Sequence, residues 1–284
     1  MTQHIFLLGA GRSGTKIFRD CLGSAEGVAA IPYDIGYVWR YGNETIPHDE
    51  LLPEHGSNEI SKFVETTLER MARRVSGKNQ YDVIIEKSVP NVLRPAFVSK
   101  LFPESRFVSI VRDGYAVIES SMRNWRAPSD RGYLLDKLRY FPPQNYRYAL
   151  WYIANKTKSS FQGRSPTLWG PRYDGMAKDA ATLSLVDICA LQWMHCVERC
   201  AEQLATLAPE RVMSVYYDDL IAKPEILRDV CNFCGIANSD QVLDFHTQTF
   251  DLDRGSKGAS RLTEFERKRI DAIAGKTIRR FCYV

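Results

Sequence analysis

The chain of 284 residues is 44% hydrophobic and 25% charged. That is enough apolar material for one large buried core, and the sequence reads as a single domain spanning residues 1–284. The formal net charge of +4 is spread along the chain, too little to indicate a nucleic-acid partner, and no uninterrupted apolar run reaches the roughly 18 residues of a membrane span.

In chain order, short apolar runs rich in β-branched and aromatic residues predict strands over 5–8, 28–31, 83–85, 107–111 and 212–217. Apolar residues recurring at three- and four-residue spacing predict helices over 14–22, 59–75, 90–101, 116–124, 186–207, 225–234 and 263–278. The alternation implies an α/β fold of three layers, a parallel sheet flanked by helices, with the ligand at the carboxyl ends of the strands. Residues 125–181 interrupt the pattern with eleven aromatic side chains from Trp125 to Tyr173, among prolines and glycines. This stretch is expected to be an insertion folded over the site, or equally a satellite core.

The first strand begins beside Met1, so no secretory leader is expected and the protein is assigned to the cytoplasm. Seven cysteines are an odd number in a chain too large to need disulfide staples, so reduced thiols are expected. Cys231 and Cys234 have the spacing of half a zinc site but no second pair at ligand distance, and no metal is expected. His195, in the helical stretch QWMHCVERC, reads as a packing residue.

The stretch HIFLLGAGRSGTK carries a strand into a glycine-rich turn that opens a helix. Such a turn gathers free backbone N–H groups and the positive end of a helix around one point, which favours an anion. Gly11 and Gly14 permit close backbone approach, while Arg12, Ser13, Thr15 and Lys16 add side-chain donors. A Walker loop would place lysine directly after the last glycine, followed by a hydroxyl for magnesium; here Thr15 and Lys16 stand in the reverse order. The strand at 107–111 runs into Arg112 where a magnesium-holding carboxylate is expected, so cations replace the metal of phosphoryl-transfer enzymes. Ser120 follows Arg112 by eight residues, a little over two helical turns, and both residues fit one phosphate. A second phosphate site implies a nucleotide phosphorylated on its 3′ side as well as its 5′ side.

At this point the sequence resembles the sulfotransferases that use 3′-phosphoadenosine 5′-phosphosulfate, in particular the bacterial, Golgi-type and tyrosylprotein branch. Gly11 to Lys16 is similar to that family's GRSGTT loop, and Arg112, Asp113 and Ser120 to its RDP motif with a serine eight residues on. VIIEKSVPN resembles its EKTP segment and RVMSVYYDDL its YEDL segment. Gly114 replaces the proline of RDP, and EKSVPN has one residue more before its proline. The resemblance implies that Arg12, Ser13, Gly14, Thr15 and Lys16 hold the 5′-phosphosulfate, Arg112 and Ser120 the 3′-phosphate, and Tyr217 the adenine. Ser256, Lys257 and Arg261 would close a basic loop over the cofactor.

For the chemistry, sulfuryl transfer needs a base for the acceptor and cations around the moving group. The resemblance places Lys87 among the cations, with Arg12 beside it and Lys16 as a third charge. The base of relatives is a glutamate after the second strand. The matching stretch AAIPYDIGYVW offers Asp34, one methylene shorter. Glu86, His48 and His55 compete for that role, although Glu86 points away from the site if Lys87 points in, because strand side chains alternate. The acceptor is a hydroxyl or amine of a small molecule, a glycan or a peptide. A metal-dependent nucleotide kinase and a non-catalytic binder of the desulfonated nucleotide are the competing readings.

Overall fold

A computed structural model describes residues 2–77, 80–126, 168–250 and 259–282. Five strands form one sheet: β1 (Gln3–Leu8), β2 (Val28–Ala30), β3 (Val83–Glu86), β4 (Arg106–Val111) and β5 (Val212–Tyr216). They lie in the order β2-β3-β1-β4-β5, and every neighbouring pair is parallel. Parallel strands covered on both faces must be apolar on both faces, which is why β1 and β3 read as unbroken apolar runs. Alternation divides them. Ile5 and Leu7 of β1 join Val83, Ile85, Val108 and Ile110 in one core, while Phe6 and Leu8 join Ile84 and Phe107 in the other. The expected three-layer α/β fold is present.

The helices follow from the same rule. On one face lie α1 (Thr15–Leu22), α8 (Glu225–Cys234) and α9 (Ser239–Thr249), whose Phe18, Leu22, Leu227, Val230 and Val242 pack on the Ile5 core. On the other lie α2 (Asn58–Ser76), α3 (Pro95–Leu101), α4 (Gly114–Arg126), α5 (Met176–Thr182), α6 (Leu185–Leu204) and α10 (Glu264–Phe281). A short helix, α7 (Tyr217–Ala222), follows β5 directly. None of the helices described is long and apolar enough to cross a membrane. All seven cysteines are free thiols, six of them buried.

Three local expectations are corrected. The helix predicted over 90–101 divides into a 3-10 turn, Val89–Leu93, and α3, because Pro95 has no N–H and its ring disfavours helical backbone at Arg94, which sits at φ −146° and ψ 41°. The last strand stops at Tyr216, so Tyr217 opens a helix instead of ending β5. Helix α9 carries only Val242 and His246 as buried residues, too narrow an apolar stripe to register as a period.

The aromatic segment lies mainly outside the described residues, including Tyr133, Tyr140, Phe141, Tyr146, Tyr148, Trp151 and Tyr152. At its described ends, Tyr173 belongs to the core and Trp169 reaches the site. The glycine of the RDG motif also has a packing reason. A β-carbon at Gly114 would lie 2.8 Å from Ile278 and 2.9 Å from the Trp193 ring, so a proline here would push α4 off α6 and α10.

Candidate active site

The segments that leave the carboxyl ends of the five strands carry the site residues in spatial order. Asp34 lies beyond β2, Lys87 follows β3, the Gly11 to Lys16 loop follows β1, Arg112 follows β4 and Tyr217 follows β5. At a strand spacing of about 4.8 Å this edge is roughly 19 Å long, the scale of an extended nucleotide with its reaction partner.

In the glycine-rich turn, Ser13 is buried and its N–H donates to the Ala10 carbonyl at 3.1 Å. Gly14 has φ 88°, and a β-carbon there would lie 2.2 Å from the Tyr217 ring, so conformation and contact both require glycine. Arg12 holds φ 75°, a left-handed conformation uncommon outside glycine. The first ladder bond of α1 runs from Phe18 N–H to the Gly14 carbonyl at 3.1 Å. The amides of Thr15, Lys16 and Ile17 therefore precede the ladder and face outward from the helix end. Thr15 is buried and Lys16 exposed.

Two pockets expected at opposite ends of a ligand are joined through Arg12. Its Nε donates to Ser120 Oγ at 3.0 Å, and its carbonyl accepts from the Arg112 guanidinium at 3.2 Å. The Arg112 guanidinium also lies over the Tyr217 ring, 4.3 Å from its centroid, and Tyr217 is buried. Burial, and then the nearby positive charges of Arg123 and Arg112, push the Arg12 pKa down. A guanidinium destabilised by like charges is stabilised when an anion binds among them, so the residues present fit a phosphorylated ligand. Arg123 was not foreseen. It lies three residues beyond Ser120 on α4 and shares its face, a spacing that was readable.

On the other side of the loop, Lys87 Nζ donates to Asp34 Oδ1 at 2.6 Å, with the Lys87 side chain 8% exposed and that of Asp34 25% exposed. One residue further on, the Ile35 N–H donates to Ser88 Oγ at 2.8 Å. These two bonds tie the segment after β2 to the segment after β3, and Ser88 was missed although it adjoins Lys87. The segment that carries Asp34 has no regular structure but is largely buried, and Arg40 satisfies its backbone. The Arg40 guanidinium donates to the carbonyls of His48 (2.6 Å), Asn43 (3.2 Å) and Ile46 and pairs with Asp49 at 3.2 Å.

The structure brings Asp34 to Lys87, and Arg12, Arg112, Ser120 and Tyr217 to one another, along the same sheet edge; the competing bases make other contacts. Glu86 is wholly buried beneath the site and accepts from Asn91 Nδ2 at 3.0 Å. His48 lies 3.8 Å from Asp174, and His55 Nδ1 accepts from the Leu52 N–H at 2.9 Å. His195 stacks on Tyr173 with ring centroids 4.2 Å apart, and burial lowers its pKa. Ser256 and Lys257 lie outside the described residues, while Arg261 is exposed in a 3-10 turn, Ala259–Arg261, that packs against α4. Trp169 was unassigned. A β-carbon at Gly11 would lie 3.3 Å from its ring and 3.7 Å from Val89, so the indole borders the space between the loop and Lys87.

Comparison with known proteins bears on the family and the fold. A sequence profile described as "Sulfotransferase family" matches residues 4–156, just over half the chain. Among solved structures, the sulfotransferase domain from the curacin biosynthetic pathway superposes with a TM-score of 0.54 at 14% identity, over 98% of each chain. Sulfotransferase STF9 from Mycobacterium avium superposes with a TM-score of 0.51 at 12% identity, over 99% of this chain and 77% of its own. At these identities the likeness shows the fold. No curated protein matches the sequence.

Proposed function

The chain belongs to the sulfotransferase family, and from that premise we propose that it transfers the sulfonate of 3′-phosphoadenosine 5′-phosphosulfate to a hydroxyl or amine of a small molecule, glycan or peptide in the cytoplasm. The observation that carries this reading is the order of groups along the sheet edge. A carboxylate and a lysine stand at one end, an anion loop at the centre, and an arginine with a tyrosine at the other. The seven free thiols support the compartment.

When bound, the donor supplies a sulfonate on a phosphate leaving group. The amides at the start of α1, with Ser13, Thr15 and Lys16, hold the 5′ side. Arg112 and Ser120 hold the 3′-phosphate, and Tyr217 lies against the adenine. Arg12 links the two pockets and neutralises charge between them. Asp34 accepts the proton of the acceptor O–H or N–H as that atom bonds to sulfur, and the bond from sulfur to the phosphate oxygen breaks. Lys87 exchanges its hydrogen bond to Asp34 for the moving sulfonate, offsetting the charge that develops there. No step needs a metal.

The reading is tested by calorimetry with 3′-phosphoadenosine 5′-phosphate against adenosine 5′-phosphate, followed by a screen of hydroxyl and amine acceptors with labelled donor and the Lys87→Ala protein as blank. Preference for the 3′-phosphorylated nucleotide and label transfer above the blank are expected. Equal affinity for the two nucleotides would refute it.

A further inference from the structure

Two buried side chains clamp the backbone of residues 169–172 beside the candidate site. Gln192 of α6 is buried, and its Nε2 donates to the carbonyls of Trp169 at 2.8 Å and Pro171 at 2.9 Å. Gly170 stands between them at φ 80°, where a β-carbon would lie 2.9 Å from that same nitrogen, so the double bond to one amide needs glycine here. The Arg172 N–H donates to Oδ2 of Asp49 at 2.8 Å, and the Asp49 N–H donates to the Arg172 carbonyl at 2.6 Å. Asp49 is buried as well. Despite this anchorage, Trp169 itself is only half-buried.

The indole stands where the loop and the segment after Lys87 meet. Its Cη2 and Cζ3 lie 3.3 and 3.6 Å from the place that a β-carbon of Gly11 would take, and Val89 Cγ1 lies 3.7 Å from the same point. Val89 is the second residue after Lys87. Pro90 in turn lies 3.6 Å from the β-carbon position of Gly36, the second residue after Asp34. Gly11, Trp169, Val89, Pro90 and Gly36 are all partly exposed, and none carries a charge. An apolar run thus leads from the loop to the segment bearing Asp34. Among these five residues, the indole alone has a face broad enough to stack on a ring.

We propose that Trp169 is a specificity-determining residue: its indole is the wall on which a ring of the acceptor lies, and it selects an uncharged acceptor that bears an aryl or sugar ring next to the reacting hydroxyl or amine. The inference rests on the reading of Asp34 and Lys87 as the reacting pair, and it narrows the acceptor of that reaction. Small-molecule sites have this composition, an apolar wall with a few placed polar groups. Here the polar groups are Asp34 and Lys87, already paired at 2.6 Å. A charged group set against the apolar run would lose its hydration without gaining a partner, which disfavours charged acceptors. A backbone already fixed by Gln192 and Asp49 gives up little freedom when a ring stacks on its side chain, which favours binding.

The test uses the full chain labelled with 15N at the tryptophan indoles, the Trp169 N–H signal being assigned by its loss in Trp169→Phe. Phenol, methyl glucoside and hexanol serve as aryl, sugar and open-chain probes. Phenol or methyl glucoside should move the Trp169 signal to saturation, and which of the two does so tells the aryl source from the sugar. Hexanol should leave the signal in place. A signal unmoved by both rings, or moved equally by hexanol, overturns the proposal. By calorimetry, the probe that saturates should bind about tenfold more weakly to Trp169→Ala, the range of one lost aromatic contact, and Trp169→Phe should recover most of the loss; unchanged binding to Trp169→Ala overturns the proposal too. The affinity of Trp169→Ala for 3′-phosphoadenosine 5′-phosphate should equal the parent's, because Arg112, Ser120 and the amides of α1 are untouched. A loss there would mark the indole as a support of the Gly11 loop and overturn the proposal as well. If Trp169→Ala fails to fold, the indole titration of the parent decides alone. A parent protein that binds no such nucleotide instead refutes the sulfonate-donor reading, and the indole titration still decides whether Trp169 takes a ring.

Discussion

Lys87 and Asp34 meet at 2.6 Å on the far side of the loop from Arg112 and Tyr217, so substitutions there should separate turnover from binding. Lys87→Ala and Asp34→Asn should each lower kcat by about 10²- to 10⁴-fold, the range of a positioned proton acceptor or charge. Their dissociation constants for the desulfonated nucleotide should stay within a few-fold, and rate assays beside calorimetry check both. Gly14 gives a second residue-scale test. Gly14→Ala must hold φ 88° and also meet the Tyr217 ring, and a left-handed alanine alone costs about 1–2 kcal/mol. Adding Tyr217→Ala should recover the collision but not the backbone cost, so urea unfolding of the double variant should remain below that of Tyr217→Ala alone. The placing of Gly14 and Arg112 at strand ends was legible in the sequence because a glycine-rich turn and a strand-end arginine suit an anion, and Lys87 was marked by the resemblance. The bond from Ile35 to Ser88 was not legible, since it joins residues 53 apart and a serine beside a lysine carries no periodic signal.

Among the elements, β1, β3 and β4 were readable because strands covered on both faces must be apolar throughout. Helix α6 was readable from its apolar spacing. The boundary at Tyr217 was not, because Tyr216 and Tyr217 suit a strand equally and only the packing of Tyr217 on Gly14 and Arg112 turns the chain into α7. The N-terminus of α6 is a capping box in which Ser184 Oγ donates to Asp187 Oδ2 at 2.7 Å. The other Asp187 oxygen accepts from Arg269 of α10 at 2.8 Å. Arg269 is the main reason the Asp187 pKa lies below its usual 3.8, with Ser184 adding to the effect and burial opposing it. A depressed carboxylate contributes stability that is present above the unfolded pKa and lost as pH falls through the folded one. Asp187→Asn should therefore destabilise most at pH 7, by up to about 1 kcal/mol, the range of a part-exposed ion pair, and the gap from the parent should close below about pH 3.8. Thermal unfolding across that pH range is the measurement.

At the scale of the whole molecule, the sheet sets the order of the residues in the proposed site. Each of the five strands ends at one edge, and neighbouring strands carry neighbouring residues of the proposed site, so under the proposed function distance along the edge becomes distance along the ligand. Arg112 stands on β4's side of the loop and Asp34 on the outer side of β3. A ligand that reaches both must carry its second phosphate away from the reacting group, which is what distinguishes a 3′-phosphorylated adenosine from an ordinary mononucleotide. Charge-assisted hydrogen bonds contribute about 1.5–3 kcal/mol each, so Arg112→Ala should weaken 3′-phosphoadenosine 5′-phosphate by about tenfold or more. Adenosine 5′-phosphate should hardly change, because the amides at the start of α1 remain. The ratio of the two affinities should thus collapse toward one in Arg112→Ala and persist in Lys87→Ala. The parent should also gain about 2.7 kcal/mol of stability at a hundred times the dissociation constant of the doubly phosphorylated nucleotide. Calorimetry on the three proteins gives the ratios directly, and an Arg112→Ala protein that keeps the parent's preference would place the second phosphate elsewhere on the edge.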